Sequence, residues 1–225
     1  MIRAVMFDLD GTIVDSAPDL VAAFNRVRLA EGLEPMPFEQ LRNASAFGAA
    51  GLVNSGLPPG DEQVTEQRKS QFLEFYEEDI YHKSELFDGV RELIEWLGEQ
   101  AVPWGVVTNK WERFTLPVLD NAGILTSAGC IVCGDTLETV KPHPAPVQLA
   151  CELLGAAPGE ALMVGDDLRD LQAAYAADCP AVFVNWGYGK LDDDESGRWP
   201  CFEKIQELQH WLIANNDTER IFGQS

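Results

Sequence analysis

Residues Val5–Val14 read VMFDLDGTIV. An apolar run is broken by two acids, Asp8 and Asp10, one residue apart, and then by the turn residues Gly11 and Thr12. A near-continuous apolar run of this length suits a strand buried on both faces of a parallel sheet. "RAVMFDL" (Arg3–Leu9) therefore predicts a strand that ends at the acids. On an extended chain, side chains two residues apart point the same way. Asp8 and Asp10 are thus expected to face one common place.

Working outward, "DSAPDLVAAFNRVRLAEGL" (15–33) predicts a helix. Ser16 is its expected N-cap, with Asp19 three residues on, Pro18 in the first turn and Gly32 at the stop. Leu20, Val21, Phe24 and Val27 form its apolar stripe. Residues 33–84 carry helical patterns and many acids but no strong strand, with a break at "PPGDEQ" (58–63). From "ELFDGV" (85–90) helices and short apolar strands alternate. The expected strands are "PWGVVTN" (103–109), "GCIVCGD" (129–135), "EALMVGDD" (160–167) and "PAVFVNWG" (180–187), with helices over 89–100, 111–121, 145–155, 169–178 and 202–214. The last eight or so residues read as a loose end. This alternation predicts an α/β fold, a Rossmann-like parallel sheet covered by helices. The expected core is 1–15 plus 86–225, with an α-helical domain inserted at 16–85. Ligands of such sheets bind at the carboxyl ends of the strands, so the insert should hang over that site as a cap.

Polar residues recur at those ends. The first strand ends in Asp8 and Asp10, the second in Thr108, Asn109 and Lys110. "LMVGDD" ends in Asp166 and Asp167, with Asp170 one turn on, and Lys141 follows in "VKPHP". Clustered carboxylates resist ionising together. A hard divalent cation such as Mg2+ relieves that, and it binds through one or two carboxylates plus a substrate phosphate.

"DLDGT", "VVTN", "VKPHP" and "VGDDLRD", in that order and at those strand ends, resemble the four motifs of haloacid dehalogenase superfamily phosphatases. The helical insert is similar to that family's cap. The resemblance implies a Mg-dependent phosphate monoester hydrolase with Asp8 as nucleophile, forming an aspartyl-phosphate. Asp10 would be general acid and base, Thr108 and Asn109 would hold phosphate oxygens, and Lys141 would balance charge. Lys110 is a further candidate for substrate contact. Asp8, the Asp10 backbone carbonyl and Asp166 would ligate the metal, with Asp167 and Asp170 close behind. Dehalogenases of this superfamily lack an acid at the Asp10 position, so its presence favours phosphoryl chemistry. Relatives place a substrate-facing loop near "RNASAFGAAGL" (42–52), where Arg42 is the one strong cation.

"FDLDGTIVDSAPDL" (7–20) closely resembles phosphoglycolate phosphatases, although the 42–52 loop departs from their Gly-rich form. "WGVVTNK", "GDDLRD" and "WGYG" resemble N-acetylmuramic acid 6-phosphate phosphatases. The first is the expected activity and the second its alternative. A sugar phosphomutase and a catalytically dead binding protein on the same fold are the remaining readings.

Composition sets the partners. The 225 residues carry a formal net charge of −21, with acids spread along the chain. Such a surface repels nucleic acid and anionic membranes, so neither is an expected partner. A small phosphorylated metabolite is, with the protein a monomer or weak dimer. No apolar run approaches the roughly 20 residues of a membrane span. The five cysteines are scattered and odd in number, which points to a reducing cytosol. Cys130 and Cys133 stand in an apolar strand with no second Cys or His pair nearby, so they read as core residues.

Overall fold

The computed structural model describes residues 1–195 and 197–222, the stretch 216–222 by its backbone alone. The strands are β1 (Ala4–Phe7), β2 (Val14–Asp15), β3 (Glu85–Leu86), β4 (Trp104–Val107), β5 (Cys130–Val132), β6 (Ala161–Gly165), β7 (Ala181–Val184) and β8 (Cys201–Phe202). The helices are α1 (Ala17–Ala30), α2 (Phe38–Leu41), α3 (Gly48–Gly56), α4 (Glu62–Glu78), α5 (Val90–Glu99), α6 (Glu112–Asn121), α7 (Ala145–Leu154), α8 (Leu168–Ala176) and α9 (Ile205–Phe222). A 3-10 turn spans Arg42–Phe47.

Six strands form one parallel sheet in the order β5-β4-β1-β6-β7-β8. β1 is central, with β4 on one side and β6 on the other. The chain runs outward from β1 through β4 to β5, then returns to build the other half. That reversal opens a crevice at the carboxyl ends of the central strands, where Asp8, Thr108 and Asp166 each follow the last strand residue.

Alternation sorts the β1 side chains. Val5 and Phe7 join one core layer with Trp104, Val106, Leu162, Val164 and side chains of α5, α6 and α9. Ala4 and Met6 join the opposite layer with Met163 and side chains of α7 and α8. Both faces are covered, which is why the strand reads as continuously apolar. Cys130 is buried in the second layer and Cys133 is buried just beyond β5.

Helices α1–α4 lie between β2 and β3, which pair antiparallel through Val14↔Leu86 and Asp15↔Glu85. Their own core gathers Leu20, Val21, Phe24 and Val27 of α1, as the stripe predicts, around Phe72 and Tyr76 of α4. Phe114 of α6 inserts into this cluster from the sheet side.

Four details depart from the sequence reading. The β2–β3 ladder is too short, at two residues a strand, to leave a periodic signal. β8 adds a sixth strand where a helix start was expected at Phe202. The expected loose end is helical through Phe222, and residues 223–225 lie outside the described residues. Ser16 occupies the N-cap position without capping: its hydroxyl is buried and makes no hydrogen bond. Instead the Ala17 N–H donates to the Tyr188 hydroxyl at 2.9 Å, and that hydroxyl donates to Asp15 at 2.7 Å.

Asp19 is committed elsewhere too. Its buried carboxylate accepts from the backbone N–H groups of Lys83 (2.8 Å) and Ser84 (2.9 Å) and from the Ser84 hydroxyl. One side chain in the first turn of α1 thus fixes the segment by which the chain returns to β3. Asp19→Ala would strand those donors at a cost of about 1–3 kcal/mol for each buried group. The variant should melt roughly 5–10 °C lower by scanning calorimetry. A shift under about 2 °C would show that the return segment does not depend on Asp19.

Candidate active site

The turn after β1 is set by backbone bonds. The N–H groups of Thr12, Ile13 and Val14 all converge on the Leu9 carbonyl. Gly11 adopts φ +86°, and a Cβ there would run into the Asp166 carboxylate. Only glycine satisfies both the left-handed backbone and the close approach. Leu9 is buried in the core while Asp8 and Asp10, on either side of it, both line one cavity.

That cavity measures about 560 Å³ and lies between the strand ends and the helical layer. Its floor carries Asp8, Asp10, Thr108, Asn109, Lys110, Lys141 and Asp170, and its walls come from the 45–50 segment, α4 and α6.

Two buried lysines divide the acids between them. Lys141 Nζ has three neighbours: the Val107 carbonyl at 2.6 Å, Asp170 Oδ1 at 2.6 Å and Asp8 Oδ1 at 2.9 Å. The contact with Asp8 lies off the line of a hydrogen bond, so that buried oxygen accepts none. Lys110 Nζ donates to both oxygens of Asp10 at 3.1 Å and to the Tyr76 hydroxyl at 2.9 Å. Its ammonium is therefore held between one carboxylate and one phenol. Burial works against the charge of each lysine, but the facing acids outweigh it and hold both above the ordinary lysine value. Burial pushes the Tyr76 phenol up to about 12, so it stays neutral and receives the Lys110 proton as an acceptor.

Asn109 holds the loop that carries Lys141. Its amide donates to the Lys141 carbonyl at 2.9 Å, and its oxygen accepts the Lys141 N–H at 3.0 Å.

Asp166 is buried and accepts from the Thr12 hydroxyl (2.9 Å) and from the N–H groups of Tyr188 (2.8 Å) and Gly189 (3.2 Å). Burial and the neighbouring charge of Asp8 nevertheless push its carboxyl up to about 7. Burial likewise raises Asp170, although Lys141 opposes it. Asp8, Asp166 and Asp170 place carboxylate oxygens within 4.8 Å of one another. An oxygen set this crowded, one member of which accepts no hydrogen bond, suits a hard divalent cation. Magnesium fits the donors present.

Asp167 is not part of that trio. It caps α8, accepting from the Arg169 N–H, while Asp170 returns a bond to the Asp167 N–H. Burial opposes its charge, but the Arg169 guanidinium holds it below the usual carboxylate range. Of the two residues expected close behind the metal, Asp170 sits among the acids and Asp167 serves the helix.

Arg42 requires a correction. It does not line the cavity; its guanidinium donates to the carbonyls of Gly187 (2.8 Å) and Trp186 (3.0 Å). An arginine engaged by two backbone oxygens of the segment after β7 ties the helical layer to the sheet side. Lys110 does line the cavity, held there by Asp10 and Tyr76.

Several participants escaped the sequence reading. Tyr76 looks like a core aromatic of α4. Arg169, inside a motif, bridges Asp167 and the Ala46 carbonyl of the helical layer. The segment 186–189 feeds Asp166 through two N–H groups, and Trp186 Nε1 donates to the Thr12 carbonyl. The "WGYG" signal was visible as a motif, but nothing local in it points to Asp166.

Comparison with known proteins agrees with this geometry. The family model described as haloacid dehalogenase-like hydrolase matches residues 5–184. A phosphoglycolate phosphatase of Xanthomonas campestris pv. campestris is 38% identical over 205 residues, covering 91% of this chain and 92% of its own. An N-acetylmuramic acid 6-phosphate phosphatase of Pseudomonas aeruginosa is 35% identical over 194 residues, 86% of each chain. The crystal structure of a predicted phosphoglycolate phosphatase from Haemophilus somnus 129pt superposes with a TM-score of 0.82 at 28% identity, covering 94% of this chain and 98% of that one. The chain belongs to the haloacid dehalogenase-like hydrolases, as one of that family's phosphatases.

Proposed function

We propose that the protein is a Mg-dependent, phosphoglycolate phosphatase-like hydrolase of small phosphorylated metabolites, acting through an aspartyl-phosphate on Asp8. Residues 1–15 and 86–225 form the catalytic core and 16–85 its cap, and the protein works in the cytoplasm. The single observation that carries this reading is the convergence of Asp8, Asp10, Lys141 and Asp170 on one cavity, with a carboxylate oxygen of the buried Asp166 within 4.8 Å of those of Asp8 and Asp170.

In the first step an Asp8 carboxylate oxygen attacks phosphorus and the bond from phosphorus to the substrate alcohol breaks. Asp10 delivers its proton to the departing oxygen. In the second step Asp10 takes a proton from water, the water oxygen attacks phosphorus, and the bond to Asp8 breaks, releasing inorganic phosphate. Lys141, fixed by Val107 and Asp170, offers positive charge beside Asp8 as charge builds on the phosphoryl oxygens. Thr108 hydrogen-bonds phosphate oxygens, while Asn109 keeps the Lys141 loop in place. Magnesium would be held by Asp8, Asp166 and the Asp10 carbonyl, with Asp170 beside them. When bound it offsets the negative charge of the acids and of the phosphoryl group.

Asp8→Asn replaces the nucleophile with an amide and should lower phosphate release by at least about 10³-fold. Activity within tenfold of wild type would mean that another group attacks phosphorus. Chelation should abolish turnover and added Mg2+ should restore it; turnover indifferent to chelator would remove the metal from the reaction.

Metal-free protein should show the strain of its acids. A carboxyl at about 7 in the folded state, against roughly 3.9 unfolded, holds a proton over that interval that the unfolded chain has released. Its contribution to stability is therefore present at low pH and is lost as pH rises from about 4 to 7. Asp166→Asn can keep both N–H bonds on its amide oxygen, with the Thr12 hydroxyl turned to accept from the amide nitrogen, without the charge. In chelator, calorimetry should show this variant melting roughly 5 °C above wild type at pH 8, with the gain shrinking towards pH 4.5. A variant less stable than wild type at both pH values would contradict this charge assignment.

A further inference from the structure

The helical layer brings one buried hydroxyl, that of Tyr76 on α4, to the acids at the strand ends. Tyr76 is 2% exposed, yet it lines the cavity. Its ring is fixed from two sides. Phe72 stacks on it with centroids 6.3 Å apart, and Phe114 of α6 meets it at 5.6 Å, tilted by 60°. Packing of this kind leaves the hydroxyl oxygen little freedom of position.

A phenol has one proton to donate and lone-pair capacity to accept. Lys110 Nζ donates to the Tyr76 oxygen at 2.9 Å. An ammonium can accept nothing in return, and among the described residues no group accepts the Tyr76 proton. Burial raises the phenol to about 12, so that proton stays in place. Ser45, a second buried hydroxyl on the cavity, donates instead to the Leu41 carbonyl at 3.4 Å. Buried tyrosine hydroxyls normally find a partner for their proton. The open volume beside this one is the cavity.

Its place relative to the acids identifies the missing acceptor. Lys110 Nζ bonds the Tyr76 hydroxyl and also, at 3.1 Å, each oxygen of Asp10. The phenol oxygen therefore lies within two hydrogen-bond lengths of the carboxyl that, on the phosphatase reading, protonates the departing alcohol. One oxygen atom held between the two can accept from both. The ammonium also polarises the phenol, because an O–H whose oxygen accepts from a cation is the stronger donor.

We propose that Tyr76 is a catalytic residue of the first step, donating a hydrogen bond to the departing oxygen of the substrate beside Asp10. The inference rests on the phosphatase reading above and adds to it a reacting contact from the helical layer. As the bond from Asp8 to phosphorus forms, the bond from phosphorus to the alcohol oxygen breaks and that oxygen keeps the electron pair. It takes the Asp10 proton and accepts the Tyr76 hydrogen bond, while the Tyr76 O–H stays intact. The contribution grows with the charge that the departing oxygen gathers. It is largest for an alkyl ester and smallest for a nitrophenyl ester, whose ring spreads that charge. In the second step the alcohol has gone and Tyr76 is not required.

The test uses Tyr76→Phe, which keeps the ring and removes the hydroxyl. Phosphate release from 2-phosphoglycolate, phenyl phosphate and p-nitrophenyl phosphate is measured with Mg2+ for variant and wild type. The variant's kcat/KM should fall at least about tenfold for 2-phosphoglycolate, about three- to tenfold for phenyl phosphate and under about threefold for p-nitrophenyl phosphate. The two aryl esters differ by one nitro group, so their ratio decides the matter even where 2-phosphoglycolate is a poor substrate. The phosphoenzyme formed in a pulse of p-nitrophenyl phosphate, followed by acid quench, should break down within about threefold of the wild-type rate. An equal fall for all the esters, or breakdown slowed about tenfold or more, would mean that Tyr76 only holds Lys110 and Asp10 in place, and overturns the direct contact. A variant unchanged on every ester overturns it as well. Wild type that releases phosphate from none of the three overturns the phosphatase reading itself.

Discussion

Mutual repulsion among carboxylates at the ends of β1 and β6 is the constraint around which the rest of the site is arranged. Asp8, Asp10, Asp166, Asp167 and Asp170 meet three cations there, Lys110, Lys141 and Arg169. Five acids against three bases leave two negative charges when every group is ionised. The protein relieves that excess incompletely, as the raised Asp166 and Asp170 carboxyls show. A divalent cation would equal the remainder in magnitude and oppose it in sign. The same surplus excludes an anionic ester from an unloaded site, so binding a cation and accepting a phosphate are linked electrostatically.

The helical layer is tied to this charge cluster at named points. Tyr76 of α4 engages Lys110, which engages Asp10. Arg169 spans from Asp167 to the Ala46 carbonyl, and Arg42 spans from its turn to the 186–187 carbonyls. Tyr188 bonds Ala17 and Asp15 through its hydroxyl while its N–H serves Asp166. Any movement of the helices against the sheet must therefore break bonds that also position the reactive acids. In this arrangement the helical layer helps hold the acids of the cavity in place.

Much of this was readable in the sequence because it depends on local periodicity. The parallel sheet followed from short apolar runs separated by helical patterns, and the acids stood out because they interrupt such runs at their carboxyl ends. Asp8, Asp10, Lys110, Lys141, Asp166 and Asp170 all reach one region, as their strand-end positions imply. What escaped depends on contacts distant in sequence. Tyr76 is 34 residues from Lys110, and Tyr188 is 171 from Ala17; no local pattern links either pair. Ser16 does not cap: Pro18 at N2 offers no N–H, and the first donor of α1, the Ala17 N–H, goes to Tyr188 from the far end of the chain. Arg42 misled for a related reason: a lone cation in a Gly- and Ala-rich loop reads as a ligand contact until the carbonyls of 186–187 are seen beside it.

The central claim is that Asp8 is the group phosphorylated, with a magnesium ion held beside it. A crystal structure grown with Mg2+ and beryllium fluoride, which mimics a phosphoryl group on a carboxylate, tests this most directly. The account predicts the fluoride adduct on an Asp8 oxygen, Lys141 beside it and magnesium in contact with both Asp8 and Asp166. An adduct on Asp10 or Asp170, or a metal bound away from Asp166, would contradict it.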